Sequence, residues 1–162
     1  MKQLILSTTL LALSVSAFAD TNDFAETCTP NDNELKSLAC NIYFEARGEG
    51  HVGMLAVAFN TMNRADSALY PGTVSEVVWQ KGQYSWTEDR IPNVMTDYDA
   101  FVKSMQVASY VYHLNKSSYL NRDITKGSMW YHSDTVTPYW TDVNCITATI
   151  GSHTYYNCAK KG

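Results

Sequence analysis

Glu45 is the residue of this chain whose type and position best fit acid–base chemistry. It continues the apolar face of a predicted helix, whose residues recur at spacings of three and four: Leu35, Leu38, Ala39 and Ile42. A carboxyl group on an inward face is desolvated, and desolvation raises its pKa. The last turn of a helix also presents partial negative charge, which disfavours ionisation further. We therefore predict that Glu45 holds a proton near neutral pH, as a general acid must.

A structural role for the same glutamate is equally compatible with the spacing. Glu45 could form an ion pair with Arg47, or point into solvent where the helix ends before Gly48. The periodicity does not decide between these roles and the acid, so both interpretations stay open at this point.

Three predicted helices precede a β-rich end of the chain, and together they position Glu45. Their approximate bounds, from the apolar spacing and the capping residues, are 34–47, 52–65 and 96–114. The third is predicted to be capped at Thr96, with Asp99 as capping-box partner, and to bury Phe101, Met105, Ala108 and Tyr112. Residues 74–79 fit a short helical turn or a strand, and 81–92 fit a loop. This order predicts an α+β fold, with a helical half, a smaller β half and a cleft between them.

The four cysteines predict two disulfides. Gly151-Ser152 fits a two-residue hairpin turn between predicted strands 144–150 and 153–158. Counting outward from the turn places Cys145 opposite Cys158, with Cα atoms ~4.5 Å apart, which is within disulfide range. By elimination Cys28 pairs with Cys40. A metal site is not predicted, because the cysteines lack Cys-x-x-Cys spacing and the histidines lack a His-Glu-x-x-His pattern.

The amino terminus predicts export. A lysine, a short apolar run and Ala17-Phe18-Ala19 are typical of a signal peptide over residues 1–19, and the run is too short for a spanning helix. Residues 20–33 are expected to form an N-terminal arm and 34–162 a single catalytic domain. We expect a monomer in the periplasm, cell envelope or extracellular space, with no membrane insertion after cleavage. The formal net charge of −4 and the lack of a basic patch argue against nucleic acid as a partner.

Four separated blocks of the sequence resemble the SleB/CwlJ family of cell wall hydrolases. The first has a Tyr-x-Glu-Ala-Arg-Gly-Glu core that contains Glu45, followed by a helix that ends in Asn63-Arg64. The others are Tyr-Pro-Gly-Thr-Val with Gln-Lys-Gly-Gln-Tyr-Ser-Trp, then Gly-Ser-Met-Trp-Tyr-His with Pro-Tyr-Trp, and finally Ile-Gly-Ser-His-Thr-Tyr-Tyr. Together they extend from about Glu34 to Asn157, in the order in which the family has them.

The resemblance implies a lysozyme-like domain that cuts peptidoglycan glycan strands between N-acetylmuramic acid and N-acetylglucosamine. Several members of the family are lytic transglycosylases with a single catalytic glutamate, which corresponds to Glu45. That residue would protonate the glycosidic oxygen and then accept the proton of the muramoyl 6-hydroxyl, leaving a 1,6-anhydro end. Such a reaction needs no cofactor.

The resemblance also implies which residues bind the sugar. Gln83, Ser85 and Trp86 belong to a block that the family places at the cleft, while Tyr131 and His132 are expected on the opposite wall. Trp86 fits a core position equally well, because tryptophan is highly buried on average. His153 flanks the tight turn, which favours a structural role.

Two alternatives to a transglycosylase remain. A hydrolytic muramidase uses a second carboxylate, about 5–5.5 Å from the first for retention or about 6.5–9.5 Å for inversion. The candidates are Glu49, Glu88, Asp89 and Asp123, of which Glu49 is expected to support the loop and Asp123 to form a turn. A catalytically silent peptidoglycan-binding protein is the other alternative, although such a protein has no need for a desolvated acid.

Overall fold

The computed structural model describes residues 23–158. The predicted signal peptide, residues 1–19, lies outside the described residues. The predicted arm, 20–33, is described from residue 23 onward.

Five α-helices make up the larger half of the described chain: α1 (Glu34–Ala46), α2 (Gly50–Ala65), α3 (Val74–Val78), α4 (Tyr98–Tyr112) and α5 (Lys116–Arg122). The first begins where predicted, because the Asn33 side chain accepts a hydrogen bond from the backbone N–H of Lys36. It lies at the centre of the helical half and packs against α2, α3 and α4. Its inward residues, among them Leu38, Ile42 and Tyr43, are fully buried.

Two small antiparallel sheets complete the fold. In the first, β1 (Glu26–Thr27) pairs with β2 (Val94–Met95). The second contains β3 (Trp130–Ser133), β4 (Ile146–Ile150) and β5 (His153–Tyr156), in the order β3-β5-β4. The helical half followed by a smaller β half with a C-terminal hairpin confirms the predicted α+β layout.

The C-terminal hairpin keeps the predicted register only near its turn. Ile150 pairs with His153 and Ala148 with Tyr155 as predicted, but the next pair is Ile146 with Tyr156. One residue of β4 is therefore extra, which is the definition of a bulge, and the predicted counting out to the cysteines is wrong beyond Ala148. The strand also begins at Ile146 and not at 144, because 143–145 form a 3₁₀ turn.

Both predicted disulfides are present. Cys145 and Cys158 are joined with their Cα atoms 5.3 Å apart. The backbone N–H of Asn157 donates to the carbonyl oxygen of Cys145, and this bond holds the segment before β4 next to the segment after β5. Cys28 and Cys40 are joined with Cα atoms 6.0 Å apart. This bond and the β1–β2 pair attach the N-terminal arm to the helical half.

The third predicted helix, α4, differs from the prediction in its N-cap residue and in the face that it buries. The cap of α4 is Asp97, whose side chain accepts from the N–H of Ala100, whereas the backbone N–H of Thr96 donates to the Tyr43 hydroxyl. The buried face consists of small residues that allow close packing: Ala100, Ser104, Val107, Ala108 and Val111. Of the predicted inward residues only Ala108 is fully buried, because the larger ones lie at the edges of this face. Helix α5 and the β1–β2 pair were not predicted.

Candidate active site

Glu45 lies in the last turn of α1 and faces a cavity of about 270 Å³ between the two halves of the domain. The cavity is lined by residues from α1, from the end of α2, from the loop after α3 and from the large sheet: Glu45, Arg64, Gln83, Ser85, Tyr131, His132, Ser133 and His153. The predicted site residues Glu45, Gln83, Ser85, Tyr131 and His132 are thus brought together around one space.

The environment of Glu45 favours its protonated form. Burial raises the pKa of this carboxyl group, and this effect outweighs a hydrogen bond from Tyr131 and the charge of Arg64, which both lower it. The Tyr131 hydroxyl donates to Oε2 of Glu45 over 2.7 Å. Burial raises the pKa of Tyr131 well above its usual value, so this hydroxyl keeps its proton and remains a donor. Oε1 of Glu45 has no hydrogen-bond partner among the described residues and can serve a ligand.

Arg64 brings a positive charge to the same cavity. Its side chain is 5% exposed, and its Nε–H donates to the carbonyl oxygen of Met129. The guanidinium lies 5.2 Å from the centroid of the Tyr70 ring and 5.5 Å from that of Tyr84. These contacts fix the arginine at the end of α2, where its charge acts on Glu45.

His132 is held through both ring nitrogens. Nδ1 lies 2.7 Å from the carbonyl oxygen of Ser133, so Nδ1 carries the proton and donates it. Nε2 then accepts a hydrogen bond from the Tyr156 hydroxyl over 2.9 Å. The ring also stacks on Tyr156 and packs edge-on against Trp140. The imidazole is therefore held in one orientation at the cavity wall.

His153 lies beside Tyr131, with the two ring centroids 5.1 Å apart and the planes nearly perpendicular. It is 7% exposed, and its Nδ1 has no partner among the described residues. Burial lowers its pKa, so the ring is neutral near pH 7. The position of His153 beside the tight turn predicted a structural role, and the fold places this residue on the cavity wall.

Of the two positions expected for Trp86, the structure shows the one in the core, and Trp86 does not line the cavity of Glu45. Trp86 is 6% exposed, stacks on Phe44 with ring centroids 4.6 Å apart, and donates its Nε1–H to Oδ1 of Asn41 over 3.0 Å. Its neighbour Ser85 is exposed and lines the cavity. The 3₁₀ turn at 85–87 separates the two side chains, with the hydroxyl outward and the indole in the core.

Glu49 supports the hairpin turn, as expected. Its carboxylate accepts hydrogen bonds from the backbone N–H of Ser152 over 2.9 Å and from the Ser152 hydroxyl over 2.6 Å. These bonds lower the pKa of Glu49, which is therefore ionised. Asp123 has the predicted turn role, since it accepts from the N–H groups of Thr125 and Gly127.

A second cavity of about 630 Å³ adjoins the first, and the two share Arg64, Gln83, Tyr131 and His132. Its remaining wall is largely aromatic: Tyr70, Trp130, Tyr139 and Trp140. Tyr139 is 87% exposed. The other three rings are half-buried. Partly exposed aromatic rings of this kind offer apolar surfaces on which a ligand can pack.

Arg64, Ser133 and the aromatic wall were not predicted as site residues. The sequence does contain an indication for Arg64. It is the charged residue near the end of the second predicted helix, and it is the last residue of the first block that resembles the SleB/CwlJ family. Ser133 carries no comparable signal, because its position depends on how β3 crosses the end of α1.

The described fold and cavity define an α+β domain with a half-buried glutamate at its cleft. Residues 48–156 match the sequence profile of the family described as Cell Wall Hydrolase, and the chain belongs to that family. The match begins three residues after Glu45, so the matched range does not include this residue.

Curated relatives include two spore cortex-lytic enzymes. That of Oceanobacillus iheyensis is 39% identical over 59 residues, which is 36% of this chain and 21% of the relative. That of Halalkalibacterium halodurans is 27% identical over 128 residues, which is 78% of this chain and 36% of the relative. The chain thus spans about a fifth to about a third of the length of these relatives.

Two solved structures share the fold. The catalytic domain of the Bacillus cereus SleB protein superposes with a TM-score of 0.55 at 24% identity, covering 78% of this chain and 94% of that chain. The catalytic domain of the germination-specific lytic transglycosylase SleB from Bacillus anthracis gives a TM-score of 0.53 at 23% identity, covering 77% and 94%. These likenesses confirm the predicted fold class.

No helix within residues 23–158 is long and apolar enough to cross a membrane. In the same part of the chain, no group of three His, Cys, Asp or Glu side chains is arranged to hold a metal ion.

Proposed function

We propose that this chain is an exported peptidoglycan glycosidase that cleaves the bond between N-acetylmuramic acid and N-acetylglucosamine as a lytic transglycosylase. The observation that carries the proposal is the environment of Glu45. Its carboxyl group faces the cavity between the two halves, its pKa is raised by burial, and one of its oxygens is held by Tyr131. A carboxyl group whose protonated form is favoured by burial, and which faces a cleft, suits the general acid that cleavage of a glycosidic bond requires.

The reaction uses Glu45 twice. The protonated carboxyl group gives its proton to the glycosidic oxygen while the bond from that oxygen to C1 of the muramoyl residue breaks, and positive charge develops at C1. The carboxylate then removes the proton of the muramoyl 6-hydroxyl, whose oxygen forms a bond to C1. The products are a 1,6-anhydromuramoyl end and a free N-acetylglucosamine hydroxyl, and Glu45 is protonated again. Water is not consumed.

A single carboxylate favours this route over hydrolysis. Among the described residues that line the cavity, Glu45 is the one acid. Glu49, the acid nearest to it in sequence among the candidates, is bound to both donors of Ser152. A carboxylate held in this way is poorly placed to activate water or to attack C1.

The neighbours of Glu45 supply donors and acceptors for the sugar. We assign Gln83, Ser85, Tyr131 and His132 to substrate binding, because all four line the cavity with Glu45. Amide and hydroxyl groups suit the N-acetyl and hydroxymethyl groups of the glycan. The signal peptide predicted at residues 1–19 would deliver the protein to the cell envelope, where this polymer is found. We propose that the protein acts there as a monomer.

The test is digestion of purified peptidoglycan by the mature protein and by Glu45→Gln, with mass spectrometry of the soluble fragments. We expect fragments one water lighter than hydrolysis products from the unaltered protein, and none from Glu45→Gln. Glu76→Gln is the matched control, because Glu76 is an exposed glutamate on α3 that undergoes the same chemical change.

The other outcomes discriminate between the alternatives. Fragments with free reducing ends mean a hydrolytic muramidase and a second carboxylate. Binding to peptidoglycan without any release of fragments means a silent binding protein. Equal digestion by Glu45→Gln removes Glu45 from the mechanism.

A further inference from the structure

A third cavity, of about 340 Å³, lies outside the two already described and is lined by basic side chains: Arg47, His51 and Lys103. Gly50 and Met54 complete its lining, and Met54 is 3% exposed. Among residues 23–158, no acidic residue lines this basic cavity. A concave surface with positive charge and an apolar contact thus lies in a chain whose formal net charge is −4.

The two charged side chains of the basic cavity have no carboxylate partner within the described part of the chain. Neither Arg47 nor Lys103 forms an ion pair with a residue from 23 to 158. The guanidinium of Arg47 lies 4.9 Å from the centroid of the Tyr43 ring, which is fully buried and holds it in place. Cations gathered at one concave surface repel each other unless an anion lies between them. The cavity is therefore suited to an anionic ligand.

The basic cavity lies at the same end of α1 as Glu45. Arg47 follows Glu45 by two residues, and side chains at this helical spacing do not share a face. Gly48 lies between the helices and is exposed, and a Cβ added there would meet nothing within 4 Å. The carboxylate of Glu49 is bound to Ser152 and does not line the basic cavity. The surface from one cavity to the other is thus open over Gly48.

The proposed substrate carries anions within reach of both cavities. Stem peptides of peptidoglycan are amide-linked to the lactyl groups of muramoyl residues and have free carboxylates further along their length. Four extended residues span about 13 Å, whereas a helix with its side chains is about 10–12 Å across. A stem peptide on a muramoyl residue beside Glu45 is therefore long enough to pass the end of α1 and bring carboxylates to Arg47 and Lys103.

We propose that the basic cavity is a subsite for stem-peptide carboxylates, so that the protein prefers peptide-bearing glycan strands to bare ones. Arg47 and Lys103 donate charge-assisted hydrogen bonds to the carboxylates. Met54 offers an adaptable apolar contact for alanine methyl groups of the peptide. This inference rests on the proposed function, since the stem peptide belongs to the same polymer. An anionic membrane surface fits less well, because segments that bind one gather about four to eight Lys or Arg residues.

The first experiment titrates a stem peptide into the isotope-labelled mature protein and follows the backbone amide signals by NMR. The probe is the N-acetylated tetrapeptide of peptidoglycan, whose acetyl group replaces the lactyl amide. We expect saturable shifts at Arg47, Gly50, His51 and Lys103. For Arg47→Gln/Lys103→Gln, Kd should be roughly tenfold higher, the scale of a lost hydrogen bond between charged groups. The same peptide with its carboxyl groups amidated should bind the unaltered protein with a similarly raised Kd.

Lys116→Gln/Arg122→Gln is the matched control, because it removes the same two kinds of charge from exposed positions on α5. This variant should keep the Kd of the unaltered protein. Lys103→Gln alone covers the case in which Arg47→Gln disturbs the end of α1, and it should raise Kd about threefold.

The other outcomes of the titration overturn the subsite. Equal binding of the amidated peptide would show that its carboxylates are not recognised, and no saturable shift at millimolar peptide would show that the peptide is not bound. Inorganic phosphate or vesicles with phosphatidylglycerol are titrated in parallel. Shifts of the same amides by either of these, without shifts by the tetrapeptide, would assign the cavity to phosphate groups instead.

Cleavage assays connect the subsite to the glycan. Soluble strands that carry stem peptides are compared with strands from which an amidase has removed them. The unaltered protein should have the lower KM on the peptide-bearing strands, and Arg47→Gln/Lys103→Gln should lose this difference while cleaving the bare strands normally. Equal KM values for the unaltered protein would overturn the preference. Because the titration needs no turnover, peptide binding without cleavage of either glycan would overturn the proposed function alone.

Discussion

The hydroxyl of Tyr131 in β3 donates a hydrogen bond of 2.7 Å to Oε2 of Glu45, 86 residues earlier in the chain. The bond crosses from the sheet to the end of α1 and fixes one carboxyl oxygen, while the other is free for a ligand. Because the donor stays protonated, it stabilises the carboxylate form of Glu45 and lowers its pKa, opposing the effect of burial. Tyr131 thus both orients the acid and moderates its pKa.

Replacing Tyr131 with phenylalanine should raise the pKa of Glu45, because burial remains and the stabilising donor is lost. The basic limb of the pH–activity profile reports loss of the acid's proton, so it should move to higher pH. At its optimum, kcat should fall by about tenfold or more, since proton transfer from a positioned group contributes roughly 10²–10⁴-fold and positioning is only partly lost. The measurement is kcat against pH for both proteins.

Tyr110→Phe is the control for this experiment. Tyr110 lies on α4, is 44% exposed and does not line the cavity of Glu45. Its substitution should leave both the limb and kcat unchanged. An unshifted basic limb in Tyr131→Phe would mean that Glu45 does not titrate in that limb.

Glu45 should destabilise the fold as the pH rises. Its pKa in the folded protein is raised above the value of 4.5 expected for an exposed glutamate, so the folded state binds the proton more tightly. The free energy of unfolding therefore falls as the pH rises from about 4.5 through the folded-state pKa. Glu45→Gln lacks this contribution, and its Tm should exceed that of the unaltered protein by about 2 °C or more at neutral pH.

The advantage of Glu45→Gln should shrink below pH 4.5, where the carboxyl group is protonated in both states. Thermal unfolding of both proteins at several pH values measures this difference in Tm. The same advantage at pH 3 and pH 7 would exclude ionisation of Glu45 as the cause. Glu49→Gln should show the opposite sign, because the pKa of Glu49 is lowered and its contribution is lost as the pH falls.

The bond between Glu49 and the Ser152 turn should be measurable as a coupling energy. Glu49→Ala, Ser152→Ala and the double variant form a cycle, and we expect a coupling of about 1 kcal/mol from the bond to the Ser152 hydroxyl. Denaturant unfolding at neutral pH gives the free energies of unfolding of the three variants and of the unaltered protein. A coupling near zero would show that solvent replaces this bond without loss.

Gly151 should tolerate alanine poorly, and part of the cost should depend on Glu49. Its φ is +58°, and an added Cβ would overlap with Oε2 of Glu49. Left-handed backbone costs an alanine roughly 1–2 kcal/mol, and the clash adds to this. In a Glu49→Ala background only the backbone part should remain. Equal destabilisation by Gly151→Ala in both backgrounds would contradict this close approach.

Trp86→Phe should lower stability and leave substrate binding unchanged. The indole N–H is the donor to Oδ1 of Asn41, and Asn41 in turn donates to Thr61. Removing that donor leaves a buried acceptor unsatisfied, which costs about 1–3 kcal/mol in the free energy of unfolding. Trp140→Phe is the paired variant, since Trp140 lines the aromatic cavity and should change KM more than stability. A raised KM in Trp86→Phe at unchanged stability would restore the sugar-stacking role.

The bounds of α1 could be predicted because their causes are local. Asn33 caps the helix through a bond to a residue three positions later, and Gly48 follows its last turn. The register of the hairpin was predictable only near Gly151-Ser152, since the turn fixes the neighbouring pairs but not a bulge further along. The predicted inward face of α4 was wrong because it was inferred from the spacing of the large apolar residues. Close packing against α1 and α2 instead places the small residues of α4 inward.

The sequence by itself predicted that Glu45 continues an apolar helix face, that the chain has an α+β layout, and that the cysteines pair as Cys28–Cys40 and Cys145–Cys158, although the counting behind the second pair missed the bulge in β4. These follow from spacing along the chain. Only the tertiary structure decided that Tyr131 is the donor to Glu45, that Trp86 is buried, and that Arg64 shares the cavity with no ion-pair partner among residues 23–158. Contacts between residues distant in sequence depend on how the sheet packs against the helices, and that packing sets both burial and charge at the site.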